Sequence, residues 1–324
     1  MFEVPRARVR VFGILLVALS IVALAACDHP GKWSERAHAS FARQEVSFTY
    51  SARFKRFFLG GGRSTVQESY DPSSDTWKTV APFPARLDHI QSVALNGRIY
   101  YIGGLVNWPG PAVGTVYIYD PATDSFATGA HMPTGRERGA GGVAVYGKKI
   151  YYAGGLHAGG AVPWFDVYDT VANTWQTLPN LPEARDHFQA AVVGGRFYAI
   201  GGRKTAIDAT ITVNDAFNFA TGSWTTGLKP LPTARGGFAV AVVGTRVLVI
   251  GGEGGGKTFS TVEAYDTSSN SWSRLNPMPV ARHGIEAAVC NGGVYVADGG
   301  MREGGGAPTD VQQVMFPGDV TPCR

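Results

Sequence analysis

The chain has 324 residues, of which 29 are basic and 25 acidic, and its 43 glycines are about twice the usual share. Outside the first 27 residues the net charge is only +2, which is too balanced for the clustered basic stripe of a nucleic-acid-binding surface. The composition therefore argues against nucleic acid as a partner. The glycines recur at regular intervals, which indicates turns and close packing rather than a low-complexity segment.

The chain begins with the features of an export signal. Three arginines within the first ten residues precede an uncharged apolar run over residues 11–26, shorter than the roughly 20 residues that a membrane-spanning helix needs. The run ends in Leu24-Ala25-Ala26-Cys27, which resembles the lipobox of bacterial lipoproteins, where the cysteine is lipidated and becomes the new N-terminus. We therefore predict a lipoprotein signal peptide over residues 1–26 and a lipid on Cys27. The alternative is an ordinary signal peptide cleaved after Ala26.

A polar segment follows the predicted signal. We interpret residues 27–44 as the lipidated cysteine and a tether that joins the membrane to a folded domain. The expected location is the bacterial cell envelope, periplasmic or at the cell surface, with the lipid anchor as the contact with the membrane. Cys290 and Cys323 remain, and in an exported protein they either form a disulfide or stay as a buried apolar residue and a free thiol.

From residue 45 to residue 317 the chain repeats one unit. Five aromatic residues follow one another at intervals of 49, 49, 49 and 48 residues, and they are Tyr70, Tyr119, Tyr168, Phe217 and Tyr265. Seven residues after each stands a second aromatic, in turn Trp77, Phe126, Trp175, Trp224 and Trp272. A period near 50 residues with aromatic and glycine markers indicates a propeller or a solenoid.

One copy of the unit predicts four strands. Residues 188–193 and 197–200 are apolar and β-prone, and the Gly194-Gly195 pair between them is typical of a two-residue hairpin turn. A third strand is predicted over residues 211–217 and a fourth around Trp224. The first two strands are apolar at nearly every position, which is typical of strands covered on both faces. Four-stranded sheets arranged radially, each packed between two neighbours, provide that cover.

The complete pattern resembles the kelch repeat, in which a Gly-Gly pair follows an apolar strand and is followed by Tyr-Asp and then Trp. The Gly-Gly pairs of this chain are Gly61-Gly62, Gly103-Gly104, Gly154-Gly155, Gly201-Gly202, Gly251-Gly252 and Gly299-Gly300. Six pairs imply an all-β, six-bladed kelch-type β-propeller of four-stranded antiparallel blades, with residues 318–324 as a C-terminal tail. The last copy lacks Tyr-Asp and Trp, so we expect an N-terminal strand near residues 46–50 to close the ring. That strand is either the first copy's inner strand or the last copy's outer strand.

Antiparallel alternation places the loop that enters each copy and the loop after each Gly-Gly pair on the same face of the propeller. This face is the expected binding site, because its loops differ between copies. Its candidate binding residues are Arg86, His89, Trp108, Arg136, Arg138, Trp164, Arg185, His187, Arg203, Arg235, Glu253, Arg282 and His283. An arginine recurs in five entering loops, which favours a structural role, and the aligned residues are Arg86, Arg136, Arg185, Arg235 and Arg282. Each of the two tryptophans could be a sugar platform, a partner anchor or packing for its own loop.

The predicted function is a binding module, acting as a monomer, that recognises a protein or carbohydrate ligand at the cell envelope. We predict no cofactor and no metal, because His89, His187 and His283 could meet over the axis but lack an accompanying carboxylate pattern. The alternative is a carbohydrate-active kelch enzyme with Glu253, Asp186 and His187 as catalytic residues. Glu253 is similarly placed to an acid of sialic-acid mutarotases, although the arginine expected beyond it is absent. A galactose-oxidase-like copper site requires a cysteine crosslinked to a tyrosine, and Cys290 does not resemble it.

Overall fold

Apolar strands separated by glycine-containing turns form six antiparallel sheets of four strands each, arranged as the blades of a propeller. The computed structural model describes residues 1–2 and 31–318, and this part of the chain consists of strands and turns. Within those residues no helix has the length and apolar character needed to span a membrane. Residues 3–26 of the predicted signal peptide, Cys27 and Cys323 lie outside the described residues.

The first strand of the described residues, β1 (Trp33–Arg36), belongs to the last blade. The first blade consists of β2 (Val46–Ser51), β3 (Arg56–Gly61), β4 (Gln67–Asp71) and β5 (Thr76–Val80). The second blade consists of β6 (Gln91–Leu95), β7 (Arg98–Ile102), β8 (Tyr117–Asp120) and β9 (Ser125–Thr128). The third blade consists of β10 (Gly142–Tyr146), β11 (Lys149–Ala153), β14 (Phe165–Asp169) and β15 (Thr174–Leu178), with a small loop hairpin of β12 (Leu156–His157) and β13 (Gly160–Ala161).

The remaining blades follow the same plan. The fourth consists of β16 (Ala190–Val193), β17 (Arg196–Ile200), β18 (Asn214–Asn218) and β19 (Ser223–Thr225). The fifth consists of β20 (Ala239–Val243), β21 (Arg246–Ile250), β22 (Val262–Asp266) and β23 (Ser271–Leu275). The sixth consists of β24 (Ala287–Cys290), β25 (Gly293–Ala297), β26 (Gln312–Met315) and β1. The predicted six-bladed propeller is therefore confirmed.

The apolar second strand of each blade is covered on both faces, as its sequence predicts. In β21 the four residues from Val247 to Ile250 are completely buried. Val247 and Val249 pack into the cluster shared with the fourth blade, whereas Leu248 and Ile250 pack into the cluster shared with the sixth. Successive side chains of a strand point to opposite faces, so each blade contributes to two interblade cores.

The repeated aromatics join neighbouring blades. The hydroxyl of Tyr168 donates to Oδ1 of Asn173 (2.5 Å), which also accepts from the backbone N–H of Ala130 in the preceding blade (2.7 Å). Nε1 of Trp175 donates to the carbonyl of the same Ala130 (2.9 Å). The Tyr-to-Trp spacing thus reflects an interblade contact that must be made once in each blade.

The N-terminal segment closes the ring at two places. β2 is the inner strand of the first blade, and β1 pairs with β26 as the outer strand of the last, with Trp33 opposite Met315. Nε1 of Trp33 donates to the carbonyl of Asn276 at 3.0 Å, so Trp33 replaces the tryptophan missing from the last copy. The predicted boundary of the tether is therefore wrong, because residues 33–36 are part of the propeller.

The glycine pair at the end of the second strand is required by space as well as by backbone conformation. Gly251 has a φ of 66°, and a Cβ atom there would lie 2.6 Å from the carbonyl oxygen of Arg282 in the next blade. Any larger residue would push two blades apart. In β24, Cys290 is buried and disulfide-bonded. This excludes the sequence-based alternative in which Cys290 is an unpaired, buried apolar residue.

Candidate functional site

Six equivalent residues surround the propeller axis, one just before the inner strand of each blade. Each has a φ between 51° and 63°, and these residues, which we call the axial ring, are Glu45, His89, Ala140, His187, Gly237 and Gly284. Their backbones are linked around the axis: the N–H of Ala140 donates to the carbonyl of His89 (2.9 Å), and that of His187 to the carbonyl of Ala140 (2.8 Å). The ring therefore holds three ionisable side chains, those of Glu45, His89 and His187, against one another.

Two aspartate–histidine pairs stand side by side at the axis. Nδ1 of His89 lies 2.8 Å from Oδ1 of Asp88, and Nδ1 of His187 makes the same contact with Oδ1 of Asp186. Both aspartates are buried. Because ionised carboxylates only accept hydrogen bonds, each imidazole donates from Nδ1, and its Nε2 remains for the axis.

Glu45 and Arg203 face these two Nε2 atoms. Oε2 of Glu45 lies 3.3 Å from Nε2 of His89, and NH2 of Arg203 lies 2.8 Å from Nε2 of His187. From NH1, Arg203 also donates to Oε1 of Glu253 at 2.8 Å. One carboxylate oxygen of Glu45 and one ring nitrogen of each histidine lie within 4.8 Å of one another.

The opposite side of the cluster is formed by the last blade. Nδ1 of His283 lies 3.2 Å from Oε2 of Glu253 and 3.4 Å from Oε1 of Glu45. The backbone N–H of Gly304 donates to Oε2 of Glu253 at 2.7 Å. Both oxygens of Glu253 are thus engaged, and its position is fixed by three different loops.

The environment shifts the pKa values of neighbouring groups in opposite directions. Burial alone would raise the pKa of Glu45, but His89 and His283 outweigh it and hold this pKa well below its usual range. Burial alone would lower the pKa of His89, yet Glu45 raises it above the ordinary value. Burial and the charge of Arg203 together lower the pKa of His187 to about 4. At neutral pH a charged carboxylate and a neutral imidazole therefore lie close together, an arrangement typical of functional sites.

These side chains form the floor of a funnel of about 480 Å³ that opens on the loop face. Trp108 forms one wall, where its ring stacks on His89 at a centroid distance of 5.0 Å while 40% of the residue stays exposed. Thr205, Ile207 and the backbone of residues 304–306 line the other walls. The volume and the mixture of aromatic and convergent polar groups are those of a small-molecule pocket.

A further polar layer lies beneath the axial ring. A cavity of about 30 Å³, lined in part by Gln91 and Gln189, has room for a water molecule. The carboxyl group of Glu286 accepts hydrogen bonds from the N–H of Phe48 (2.6 Å) and from Oγ of Ser92 (3.2 Å). Burial raises the pKa of Glu286 to about 8, so it is mostly a neutral acid at pH 7.

Comparison with known proteins identifies the repeat. A family model described as "KLHDC2/KLHL20/DRC7 Kelch-repeats domain" matches residues 143–314, which is more than half of the chain, and one described as "Kelch motif" matches residues 89–133. The chain belongs to the kelch-repeat family. This kelch chain is also 32% identical to Kelch-like protein terF of Aspergillus terreus, in an alignment that covers 95% of the chain and 73% of that protein.

Other kelch proteins are more distant. Kelch-like protein 35 of Mus musculus is 27% identical over 62% of this chain, and Kelch-like protein 23 of Pongo abelii is 25% identical over 71%. The chain spans only 32% and 40% of the lengths of these two relatives. A solved structure described as "Structure of YjhT" matches with a TM-score of 0.76 at 15% identity, over 89% of this chain and 99% of that one. At that identity the match shows the fold alone.

Six of the residues that the kelch pattern predicts for the site line the funnel, and they are His89, Trp108, His187, Arg203, Glu253 and His283. Asp186, a catalytic candidate, contacts the funnel through His187. Trp164 does not line the funnel: Arg136 lies 4.9 Å from its ring centroid, and the ring of His157 lies 5.0 Å away, so Trp164 packs its own loop.

The recurring arginine is part of the kelch scaffold. Two residues before each axial-ring position stands a buried arginine in five blades, in chain order Arg43, Arg138, Arg185, Arg235 and Arg282. Arg185, for example, bonds the carbonyl of Ala199 (3.0 Å) and the carboxylate of Asp215. The predicted alignment is therefore wrong for Arg86 and Arg136, because Leu87 and Arg138 occupy this position in the second and third blades. Arg138, Arg185, Arg235 and Arg282 are buried within their blades and do not reach the funnel.

Two charged residues of the site were not among the predicted ones. Glu45 precedes the first inner strand, and Arg63 follows the first Gly-Gly pair, where it bonds the carboxylate of Asp88. A sequence signal for Glu45 does exist. Arg43 stands two residues before it, as Arg185 stands two residues before His187, and an apolar strand follows in both cases.

Proposed function

We propose that this kelch propeller is a recognition module that binds a small polar ligand of the carbohydrate class in the funnel over its axis. The observation that carries the proposal is the funnel itself. It combines an exposed aromatic wall, Trp108, with a floor of carboxylate, imidazole and guanidinium groups. A carbohydrate presents an apolar ring face for stacking and hydroxyl groups that bind both donors and acceptors.

The shape of the site favours a small ligand over a protein surface. A specific protein interface buries roughly 800 Å² per partner, and its centre is depleted of charged residues. The funnel is instead a concavity of about 480 Å³ whose floor is charged. Its acids and bases also bind one another, which prepares both donors and acceptors at fixed positions before a ligand arrives.

Substitution of Trp108 tests the proposal. A panel of monosaccharides and disaccharides would be screened by thermal shift, and the affinity of each hit measured by calorimetry. We expect Trp108→Ala to weaken binding by about tenfold or more, roughly 1.4 kcal/mol, because the stacking surface is lost. Trp164→Ala is the matched control and should bind normally. If no sugar binds, or if both variants bind as well as the unmodified protein, the proposal fails; a protein as the only ligand would be a contrary result as well.

One observation favours catalysis as a second candidate. The neutral His187 is held between Asp186 and Arg203, and Arg203 also bonds Glu253. A guanidinium group thus stands beside Glu253, although the sequence directly after Glu253 supplies none. A carboxylate and a neutral imidazole in one site are suited to moving a proton on and off a sugar hydroxyl.

The rate of anomer interconversion separates the two candidates. It would be followed by NMR on the sugars that bind, with the unmodified protein and with Glu253→Gln. An enzyme would accelerate the exchange well above the buffer rate and lose most of that acceleration in the variant. A recognition module would leave the exchange at the buffer rate while still binding the sugar.

The proposal includes export and a lipid anchor on Cys27. It is supported by the apolar N-terminal run, by the Leu-Ala-Ala-Cys sequence and by the disulfide at Cys290, since structural disulfides are typical of oxidising compartments. We expect cells that express Cys27→Ser to produce protein without labelled fatty acid, whereas the unmodified chain incorporates the label. Cys290→Ser should still be lipidated. Labelling of Cys27→Ser would refute the anchor.

A further inference from the structure

The axial ring contains two copies of one chemical unit. In each copy a buried aspartate fixes Nδ1 of a histidine, Asp88 for His89 and Asp186 for His187. Metal-binding histidines are oriented in this way, because the outer carboxylate selects the tautomer and makes the other nitrogen more basic. The imidazole rings of His89 and His187 lie edge to face, with their centroids 4.7 Å apart, so both Nε2 atoms face the same small space.

Glu45 supplies the carboxylate that the sequence pattern of the three histidines lacked. Its Oε2 lies 3.3 Å from Nε2 of His89, and one atom from each of Glu45, His89 and His187 falls within 4.8 Å of the other two. The second oxygen of Glu45 lies 3.4 Å from Nδ1 of His283, which steadies the carboxylate from the far side.

The groups around this space carry an excess of carboxylates. Four carboxylates meet here, and their side chains are at most 14% exposed: Glu45, Asp88, Asp186 and Glu253. Two guanidinium groups form ion pairs with these carboxylates, those of Arg63 and Arg203. The carboxylates therefore outnumber the guanidinium groups by two, an excess that a bound divalent cation would offset.

We propose that Glu45, His89 and His187 bind a divalent first-row transition metal, with Zn²⁺ as the ion that this donor set suits best. Two imidazoles and one carboxylate are a known zinc-ligand set, and in such sites the fourth position stays open. Here the open position faces the funnel, where it can take a water molecule or an oxygen of a bound ligand. The site does not depend on the sugar-binding proposal.

Arg203 is the group that the metal must displace. Its NH2 lies 2.8 Å from Nε2 of His187, so metal and guanidinium compete for one lone pair. Arg203 has two other partners, Oε1 of Glu253 at 2.8 Å and Oδ1 of Asp186 at 3.4 Å. It can therefore release His187 and remain paired at the rim of the cluster.

Metal uptake by the full chain, purified without a histidine tag and stripped with a chelator, tests the site. We expect one Zn²⁺ per chain by elemental analysis, and one Co²⁺ with visible ligand-field absorption. Glu45→Gln and His187→Ala should weaken Co²⁺ binding by more than the roughly 10–100-fold that outer-shell changes cause. His157→Ala, a histidine outside the cluster on the same face, should leave it unchanged. No sugar is present in this assay, so the metal site and the sugar site can fail separately.

A milder variant covers the case in which a ligand substitution unfolds the protein. Asp88→Asn removes only the outer partner of His89 and should weaken Co²⁺ binding by roughly 10–100-fold while the thermal unfolding transition persists. The proposal is overturned if the unmodified chain binds less than stoichiometric metal. It is also overturned if the folded variants bind as tightly as the unmodified chain, or if His157→Ala loses binding to the same extent.

Discussion

Replacing Arg185 with alanine is expected to lower the free energy of unfolding by about 3–5 kcal/mol. The guanidinium group is fully buried and bonds the carbonyls of Ala199 (3.0 Å) and Val213 (3.3 Å) and the carboxylate of Asp215. Alanine would leave a buried carboxylate without its partner and would remove one donor from each of the two carbonyls. Urea denaturation followed by tryptophan fluorescence measures the change.

Arg98→Ala is the matched control. Nε of Arg98 lies 3.7 Å from Oδ2 of Asp120, but the Arg98 side chain is 55% exposed, and such pairs contribute at most about 1 kcal/mol. The double variant Arg185→Met with Asp215→Leu should recover part of the loss, because it removes the unpaired charge. Equal effects of Arg185→Ala and Arg98→Ala would contradict a structural role for the recurring arginine.

Glu286 is expected to lower the stability of the propeller as the pH rises from about 4.5 to 8, and Glu286→Gln should remove this contribution. Burial raises the pKa of Glu286 from 4.5 in the unfolded chain to about 8 in the folded one. Between these pH values Glu286 holds a proton in the folded state and has lost it in the unfolded state. The stabilisation is therefore complete below pH 4.5 and lost by pH 8, a change on the order of 4–5 kcal/mol.

The difference in stability between the unmodified protein and Glu286→Gln isolates the contribution of Glu286. Asp298, whose pKa burial raises to about 7, changes stability in the same direction in both and cancels in the difference. Glutamine keeps the size of the neutral acid, so Glu286→Gln should match the unmodified protein at pH 5 and exceed it at pH 8. Glu183→Gln, at a partly exposed carboxylate, should leave the slope unchanged. Parallel curves for the unmodified protein and Glu286→Gln would show that Glu286 is charged in the fold.

The repeat made most of the fold predictable from sequence, because each blade must make the same interblade contacts. The Tyr168, Asn173 and Trp175 contacts with Ala130 need those residue types at that spacing. The closing strand could not be predicted in the same way. β1 is a short polar edge strand, and its partner lies at the other end of the chain, so no local pattern identified it.

The site was predictable where the repeat aligned the loops correctly. His89 and His187 occupy equivalent positions and His283 stands one residue earlier in its copy, and the structure places all three at the funnel. Glu45 was missed because it belongs to the copy whose inner strand comes from the N-terminal segment. Arg86 and Arg136 were misaligned because the entering loops differ by one or two residues. Only burial separates the scaffold arginine from a surface one.

Closure by β1 also determines the order in which the propeller can be completed. Five blades are each built from one contiguous stretch of chain, whereas the sixth joins β1 to β26, the first and last strands among residues 31–318. Such a distant pairing folds slowly, since both ends must meet before it gains any contact. Until residue 315 is available, β1 lacks its partner strand β26, and an unpaired strand invites aggregation. The polar Trp-Ser-Glu-Arg sequence of β1 suits a segment that must remain solvated throughout synthesis and pair last.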